Sequence, residues 1–273
     1  MLSAHRGDCK VLAGGQSLVP MLNFRLLSPS KLVDINGIKS LEFIEETEDG
    51  GLRVGALSRH YQTMTSPVIR ARFPVLSEAM RHVAHLAIRN RGTIGGSLSH
   101  ADPSAELPLM AVLLDATLTL SGPNGTRDVP AHEFFSGALT TVLDEDELMT
   151  EVALPPANTA GWSFQEYAPR AGDFALAAVG VMLSSENGRA TNSKIAVAGV
   201  GETPMRIVEA ETALNGRAID PVALADVIAA VRANVTPPHD LHASADYRLH
   251  LIGGLTGRAI EDAWRRIHSS APK

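Results

Sequence analysis

Two glycine pairs, each at a point where an apolar run gives way to a hydroxyl-bearing segment, constrain this chain more than any other feature. The first lies in Ala13-Gly14-Gly15-Gln16-Ser17-Leu18, the second in Asn90-Arg91-Gly92-Thr93-Ile94-Gly95-Gly96-Ser97-Leu98. Adjacent glycines reach positive φ and let another group approach the main chain, and successive N–H groups ahead of a helix form a concave anion site. Phosphate is the natural guest. The first segment is not a P-loop, because no Gly-Lys-Ser/Thr follows, and its glycine spacing is not that of the dinucleotide fingerprint. For each pair alone a plain tight turn stands beside the ligand reading. Taken together, two such nests suit a pyrophosphate, with Thr93 and Ser97 donating from opposite sides of Gly95-Gly96. Neither segment carries Lys and only Arg91 is near, so binding would rest on backbone dipoles and hydroxyls.

The surrounding pattern is mixed. Lys10–Ala13 and Lys31–Ile35 read as buried strands, with a short helical crossover between them. Leu41–Glu45 and Leu52–Ala56 read as a hairpin around Asp49-Gly50-Gly51. Ser58 is an expected N-cap for the helical stretch that follows, where Phe73–His85 places Val75, Leu76, Ala79, Met80 and Val83 on one face. The segment Arg91–His100 reads as a loop ahead of a helix at Ser104–Leu114. Strands are expected at Ala116–Ser121, Thr126–Val129 and Glu147–Leu154, and Pro155–Gly161 is the linker candidate. Beyond it, strands at Trp162–Tyr167, Leu176–Ser184 and Lys194–Val200 precede helices at Pro204–Leu214, Pro221–Asn234 and Ala243–His268. Strands first and helices afterward indicate an α+β unit. The expected organisation is residues 1–156, with subdomains of about 1–50 and 51–156, followed by a unit over 162–270.

Composition removes several classes of function. The single cysteine, Cys9, cannot form an internal disulfide, nor can it hold an iron–sulfur cluster, which normally needs four thiolates. Any such cluster must sit on another chain. With 30 acidic against 24 basic residues and a formal charge of −6, no basic footprint attracts nucleic acid, and 2 Trp with 3 Tyr offer few stacking platforms. The start, MLSAHRGDCK, is polar where a signal peptide would be apolar, and no apolar run reaches the roughly 20 residues of a membrane span. A cytoplasmic location and no membrane span are expected.

The segments AGGQSLVP and NRGTIGGSLSHADPSAELP resemble those of the FAD-binding medium subunits of the molybdenum hydroxylases, the family of carbon monoxide dehydrogenase medium chains and xanthine dehydrogenase FAD-binding subunits. The resemblance continues through FQEYAPRAGDFALAAVGV, IAVAGVGETPMR and ASADYRLHL, in order and over nearly the whole chain. It implies a two-subdomain FAD-binding domain of the PCMH type, as in vanillyl-alcohol oxidase, followed by an α+β domain of the carbon monoxide dehydrogenase flavoprotein type. It also implies that Ala13, Gly14, Gly15, Gln16, Ser17 and Leu18, with Thr93, Gly95, Gly96 and Ser97, hold the FAD pyrophosphate. Glu106 would meet ribityl or ribose hydroxyls, at a position where relatives often carry Asp. Leu148 falls where an apolar residue packs near the isoalloxazine, and an ordinary core role fits it equally. Gln165 stands where some members place Lys beside the flavin, and its role is left open. Tyr167 reads either as a ring neighbour or as core. Members usually carry another strand and helix before AGGQS, so this chain is expected to be truncated or to start late.

The implied function is electron transfer. An iron–sulfur subunit would relay electrons from a molybdopterin subunit to FAD and on to an external acceptor, in a three-subunit unit that dimerises. Substrate oxidation then belongs to a partner, and no catalytic acid or base is expected in this chain. Two rivals are a stand-alone NAD(P)H-dependent flavin oxidoreductase and a non-redox FAD or nucleotide-binding assembly module. Against the first, Gly199-Val200-Gly201 places Pro204 where a nicotinamide fingerprint needs its third glycine. Against the second stands the match beyond the phosphate segments. His239, His242, Asp246 and His250 lack a regular ligand spacing, so solvated surface or a subunit contact is the favoured reading. His100 is a candidate for tuning the cofactor.

Overall fold

A computed structural model describes residues 2–157 and 161–269. Strand β1 (Cys9–Leu12), helix α1 (Leu18–Asn23) and strand β2 (Lys31–Asp34) form the expected crossover unit, with Val11 opposite Val33 in a parallel pair. The strands are not buried as expected: a two-stranded sheet with one short helix leaves every residue of both at least partly exposed. A parallel pair cannot be closed by a tight turn, and α1 supplies the return. The hairpin of β3 (Ile44–Glu46) and β4 (Leu52–Gly55) then leads into short helices α2 (His60–Thr65), α3 (Pro67–Arg72), α4 (Pro74–His82) and α5 (Leu86–Arg89). Pro67 and Pro74 divide this stretch because proline lacks the N–H that a helix interior donates. Ser58 does not cap it. Arg59 holds the N-cap position of α2, while the buried Ser58 hydroxyl donates to the Phe43 carbonyl at 2.7 Å.

Helices α6 (Ile94–His100) and α7 (Glu106–Leu113) follow, then β5 (Thr117–Gly122), β6 (Gly125–Pro130), α8 (Ala131–Phe134), the pair β7 (Phe135–Gly137) and β8 (Thr140–Thr141), and β9 (Leu148–Leu154). The antiparallel sheet runs in the order β3-β4-β9-β5-β6. Part of the linker candidate, residues 158–160, lies outside the described residues. A second antiparallel sheet orders β10 (Gly161–Tyr167), β11 (Ala177–Glu186), β12 (Arg189–Ala198) and β13 (Met205–Arg206) consecutively, ahead of α9 (Val208–Leu214), α10 (Pro221–Ala233) and α11 (Ala245–Ser269). The helix expected from Pro204 begins only at Val208, because Met205 and Arg206 pair with Val197 and Ala196.

Strand alternation gives this second sheet two covered faces. Ala177, Val179, Val181 and Leu183 join the cluster under α9, α10 and α11, whereas Ala178 and Met182 join the core around α7. Every residue of α7 is buried, as expected of a helix without a polar stripe. At Gly180 a Cβ would lie 2.6 Å from Leu113 Cδ2, so the glycine lets α7 press onto β11. Both ends of α7 are tied to the second sheet. Gly199 N–H donates to the Pro103 carbonyl at 2.8 Å, and Asp115 accepts from Lys194 Nζ at 2.5 Å and Arg206 Nη1 at 2.7 Å. Among the described residues no helix is long and apolar enough to cross a membrane.

Candidate functional site

The two glycine segments are in direct contact. Gly14 is buried against Arg91 and Gly92, where a Cβ would stand 2.4 Å from the Arg91 carbonyl oxygen. Gly15 has φ 73°, which turns the chain from β1 toward α1. The N–H groups of Gly14, Gly15, Gln16 and Ser17 donate to no group among the described residues. An unpaired N–H held in a folded turn is costly unless water or a ligand takes it, so four in succession describe an anion cradle. Gln16 closes its edge by donating Nε2–H to the Gly14 carbonyl at 2.9 Å. Ala13 precedes the turn, its carbonyl held by Asn36 Nδ2 at 2.8 Å, and Leu18 opens α1.

The second segment is built differently from the sequence expectation. It is not an open loop through His100: helix α6 starts at Ile94, with Thr93 as N-cap accepting the Gly96 N–H at 3.1 Å. The neighbouring donors are also engaged, Ile94 N–H with Ser58 O, Gly95 N–H with Ala56 O and Ser97 N–H with Thr93 O. This segment therefore offers hydroxyls, not a nest of free amides. Thr93 keeps its O–H proton for donation, and Ser97 Oγ makes no hydrogen bond among the described residues. Gly95 and Gly96 answer to packing: a Cβ on Gly95 would lie 2.6 Å from Ala56 Cβ, and one on Gly96 would lie 2.7 Å from Thr93 Oγ1. Glycine inside a helix costs about 1 kcal/mol against alanine, so two in the first turn indicate a required close approach.

Three residues without a sequence signal hold these segments from behind. His60 is buried and its Nε2 bonds the Thr93 carbonyl at 3.0 Å, while its ring lies against Gly92. Burial holds its pKa down at about 4, so the imidazole is neutral. Arg59 donates to the Arg91 carbonyl at 2.5 Å and to Asn36 Oδ1 at 2.9 Å. Only the positions of the first and second segments in space give Arg59 and Asn36 a function, which is why sequence spacing could not find them.

Glu106 is the first residue of α7 and is 8% exposed. Burial, reinforced by the nearby Glu166 carboxylate, raises its pKa to about 8. It is a largely neutral carboxyl at pH near 7, able to donate as well as accept. Glu166, on β10, pairs through Oε1 with His82 Nδ1 at 3.1 Å, and its Oε2 is buried without a partner. The hydrogen bond that His82 donates to Glu166 raises the His82 pKa against the opposing effect of burial. Phe164 lies edge-on to the same His82 ring at 5.1 Å.

Gln165 does not join this group. Its Nε2 donates to Asp262 Oδ2 at 2.8 Å on α11, on the opposite face of the sheet from Phe164 and Glu166. Successive strand residues point to opposite faces, so position 165 is turned away from the α4 and α7 side that Glu166 faces. Tyr167 is likewise directed at α11, 6.3 Å from the Tyr247 ring. Leu148 begins β9 opposite Ser121 and is half-buried; two residues on, Thr150 accepts the Ala56 N–H at 2.9 Å beneath Gly95. His100 ends α6 and is half-buried.

One buried cation, Arg248 (4% exposed), gathers the motifs of the second unit. Its Nη1 donates to Leu176 O at 2.6 Å and Gly199 O at 3.0 Å, and its Nη2 to Asp240 Oδ2 at 2.8 Å. The segments GDFAL, AGVG and DYRL, far apart in sequence, thus meet on one guanidinium, and Gly199 in turn bonds the turn that precedes α7.

Comparison with known proteins agrees along the whole chain. Residues 1–157 match the family described as the FAD binding domain in molybdopterin dehydrogenase, and residues 162–263 match the CO dehydrogenase flavoprotein C-terminal domain. The caffeine dehydrogenase subunit beta of Pseudomonas sp. (strain CBB1) is 38% identical over 269 residues, covering 98% of this chain and 91% of the relative. The carbon monoxide dehydrogenase medium chain of Hydrogenophaga pseudoflava is 36% identical over 260 residues, 95% of this chain and 90% of the relative. Among solved structures, carbon monoxide dehydrogenase from Hydrogenophaga pseudoflava, in a form lacking the Mo-pyranopterin moiety of its cofactor, superposes with a TM-score of 0.94 at 37% identity. That superposition covers 97% of this chain and 92% of the other.

Proposed function

Because this chain belongs to the family of FAD-binding subunits of molybdopterin dehydrogenases, we propose that its first glycine turn holds the FAD pyrophosphate and that Thr93 and Ser97 complete the grip from α6. The observation that carries this reading is the run of four unpaired N–H groups at Gly14, Gly15, Gln16 and Ser17, pressed against the second segment where no side chain fits. Such a cradle suits a doubly anionic pyrophosphate without a lysine. Gly95 and Gly96 act as spacers, Gln16 closes the edge of the turn, and Ala13 and Leu18 frame it. Glu106, uncharged near neutral pH, exchanges hydrogen bonds with sugar or ribityl hydroxyls, and Leu148 offers an apolar contact on the same side as α6. For Gln165 the observed bond to Asp262 favours a structural role.

The bound FAD supplies conversion between one-electron and two-electron transfer. The protein's part is to position it and to exclude water: the α7 core and the Arg248-centred turns keep the second unit closed on the first. We place the division between the units at residues 156–162. In the assembled enzyme this chain is the flavoprotein of a multi-subunit oxidoreductase. Its partners are an iron–sulfur subunit and a molybdopterin subunit in a heterotrimer. Relatives named for caffeine and for carbon monoxide, chemically unlike substrates, are nearly equally similar to this chain. That similarity supports placing substrate recognition on another subunit.

The purified protein should be yellow or become so with FAD, and should release FAD rather than FMN on denaturation. A protein that stays colourless after reconstitution would refute the cofactor site. Copurification of tagged chain with molybdenum and iron–sulfur subunits tests the assembly, and rapid NADH oxidation by the isolated chain would point instead to a self-sufficient reductase.

A further inference from the structure

Glycine cradles bind a pyrophosphate only if their separation matches it, and main-chain turns have no stiffness of their own to fix that separation. In this chain the stiffness has a visible source. The Arg59 guanidinium reaches the Arg91 carbonyl of the second segment at 2.5 Å and Asn36 Oδ1 at 2.9 Å. Asn36 Nδ2 passes the connection to the Ala13 carbonyl at 2.8 Å, immediately ahead of the Gly14-Gly15 turn. Asn36 is itself fixed, its N–H and Nδ2 both donating to Asp34 Oδ1 at 2.9 and 2.7 Å. Arg59 is anchored through its own N–H to Gln62 Oε1 at 2.7 Å, and a bridge pairs it with Thr93, the N-cap of α6. The oxygen that Arg59 grips is the one against which Gly14 is pressed.

We infer that Arg59 is a positioning residue for FAD binding: its planar fork, acting through Asn36, locks the two glycine segments at the spacing a pyrophosphate requires. The guanidinium holds the Arg91 carbonyl directly and the Ala13 carbonyl through Asn36, which leaves the N–H groups of the first turn and the hydroxyls of the second segment for the ligand. It also puts a full positive charge behind a site whose own segments hold no lysine. A lysine could reach one of the two oxygens but not both, because a fork geometry is what two diverging acceptors select. This inference rests on the pyrophosphate reading above and adds the element that makes the two segments one site.

The test uses the full-length apoprotein, titrated with FAD by flavin fluorescence quenching, with ADP and riboflavin as probes of the two halves of the cofactor. Arg59→Ala should raise the Kd for FAD and for ADP by the same factor, about tenfold to a hundredfold for a lost charged hydrogen-bond pair. Riboflavin, which has no phosphate, should bind as before. Arg59→Lys should recover only part of the loss. Asn36→Ala should weaken FAD and ADP in the same sense, and adding it to Arg59→Ala should cost little more, since both cut one path. If Arg59→Ala does not fold, Arg59→Lys and Asn36→Ala carry the same comparison. Folded variants that bind FAD and ADP like the wild type, or that lose riboflavin equally, overturn the inference. A wild-type protein that binds riboflavin but neither FAD nor ADP would overturn the pyrophosphate reading itself, and this inference with it.

Discussion

Replacing Glu106 by glutamine should stabilise the apoprotein, increasingly so as pH rises. Glu106 is 8% exposed at the start of α7, and burial with Glu166 nearby raises its pKa from 4.5 to about 8. A carboxyl with a folded-state pKa above its unfolded value keeps its proton in the native protein while the unfolded chain releases it. The penalty therefore begins above the unfolded pKa and grows until the native group also ionises. Each pH unit in that window costs about 1.4 kcal/mol. The accumulated penalty is below about 1 kcal/mol near pH 5 and roughly 3 kcal/mol near pH 7, levelling off above about pH 8. Glutamine preserves the shape and does not ionise. With a urea m-value of about 3 kcal/mol/M for a chain of this length, the midpoint of Glu106→Gln should move from near coincidence with wild type at about pH 5 to roughly 1.5 M above it at about pH 8. The assay is urea denaturation of both apoproteins across that range, followed by circular dichroism. Midpoints that stay parallel over the whole range would refute the reasoning, since an ordinary exposed carboxylate adds no pH-dependent separation there.

Further consequences concern the supports of the site. His60, with its pKa lowered from 6.5 to about 4, has the opposite sign: its contribution is complete above pH 6.5 and is lost as pH falls toward 4, a loss of about 3 kcal/mol that His60→Gln should abolish in acid denaturation curves. Gly95→Val should place its branched side chain against Ala56, costing about 1–3 kcal/mol by overpacking and releasing FAD; unchanged melting and flavin retention would contradict the close approach. Glu166→Gln should return the His82 titration to a lower pKa in proton NMR, because the Glu166 hydrogen bond is the largest influence raising it. Asp115→Ala should cut the ties from Lys194 and Arg206 to the end of α7 and destabilise by about 1 kcal/mol, a small value because the aspartate is half-exposed.

What the amino-acid sequence determined by itself was local and periodic. The parallel β1-α1-β2 unit, the β3-β4 hairpin, the three long strands and the last two helices of the second unit and the first glycine turn follow from residue type and spacing within a few neighbours, whereas β13 and the late start of α9 do not. The four free amides of the first turn belong to this class, since adjacent glycines leaving a strand already point to them. Tertiary structure decided everything that depends on which face a residue presents and what lies behind it. Glu166 and not Gln165 faces His82, because alternation along β10 is read only against a known partner face. Arg91–His100 became a capped helix because Ser58 and Ala56 supply the carbonyls that its first amides need. Arg59 and Asn36 acquired a role only when Gly14 came to rest on Arg91. Glu106 became a neutral acid only when α7 was enclosed between the first unit and the second sheet. Periodicity reports neighbours along a chain, whereas charge state and reach depend on groups brought together from distant positions, and folding alone assembles those.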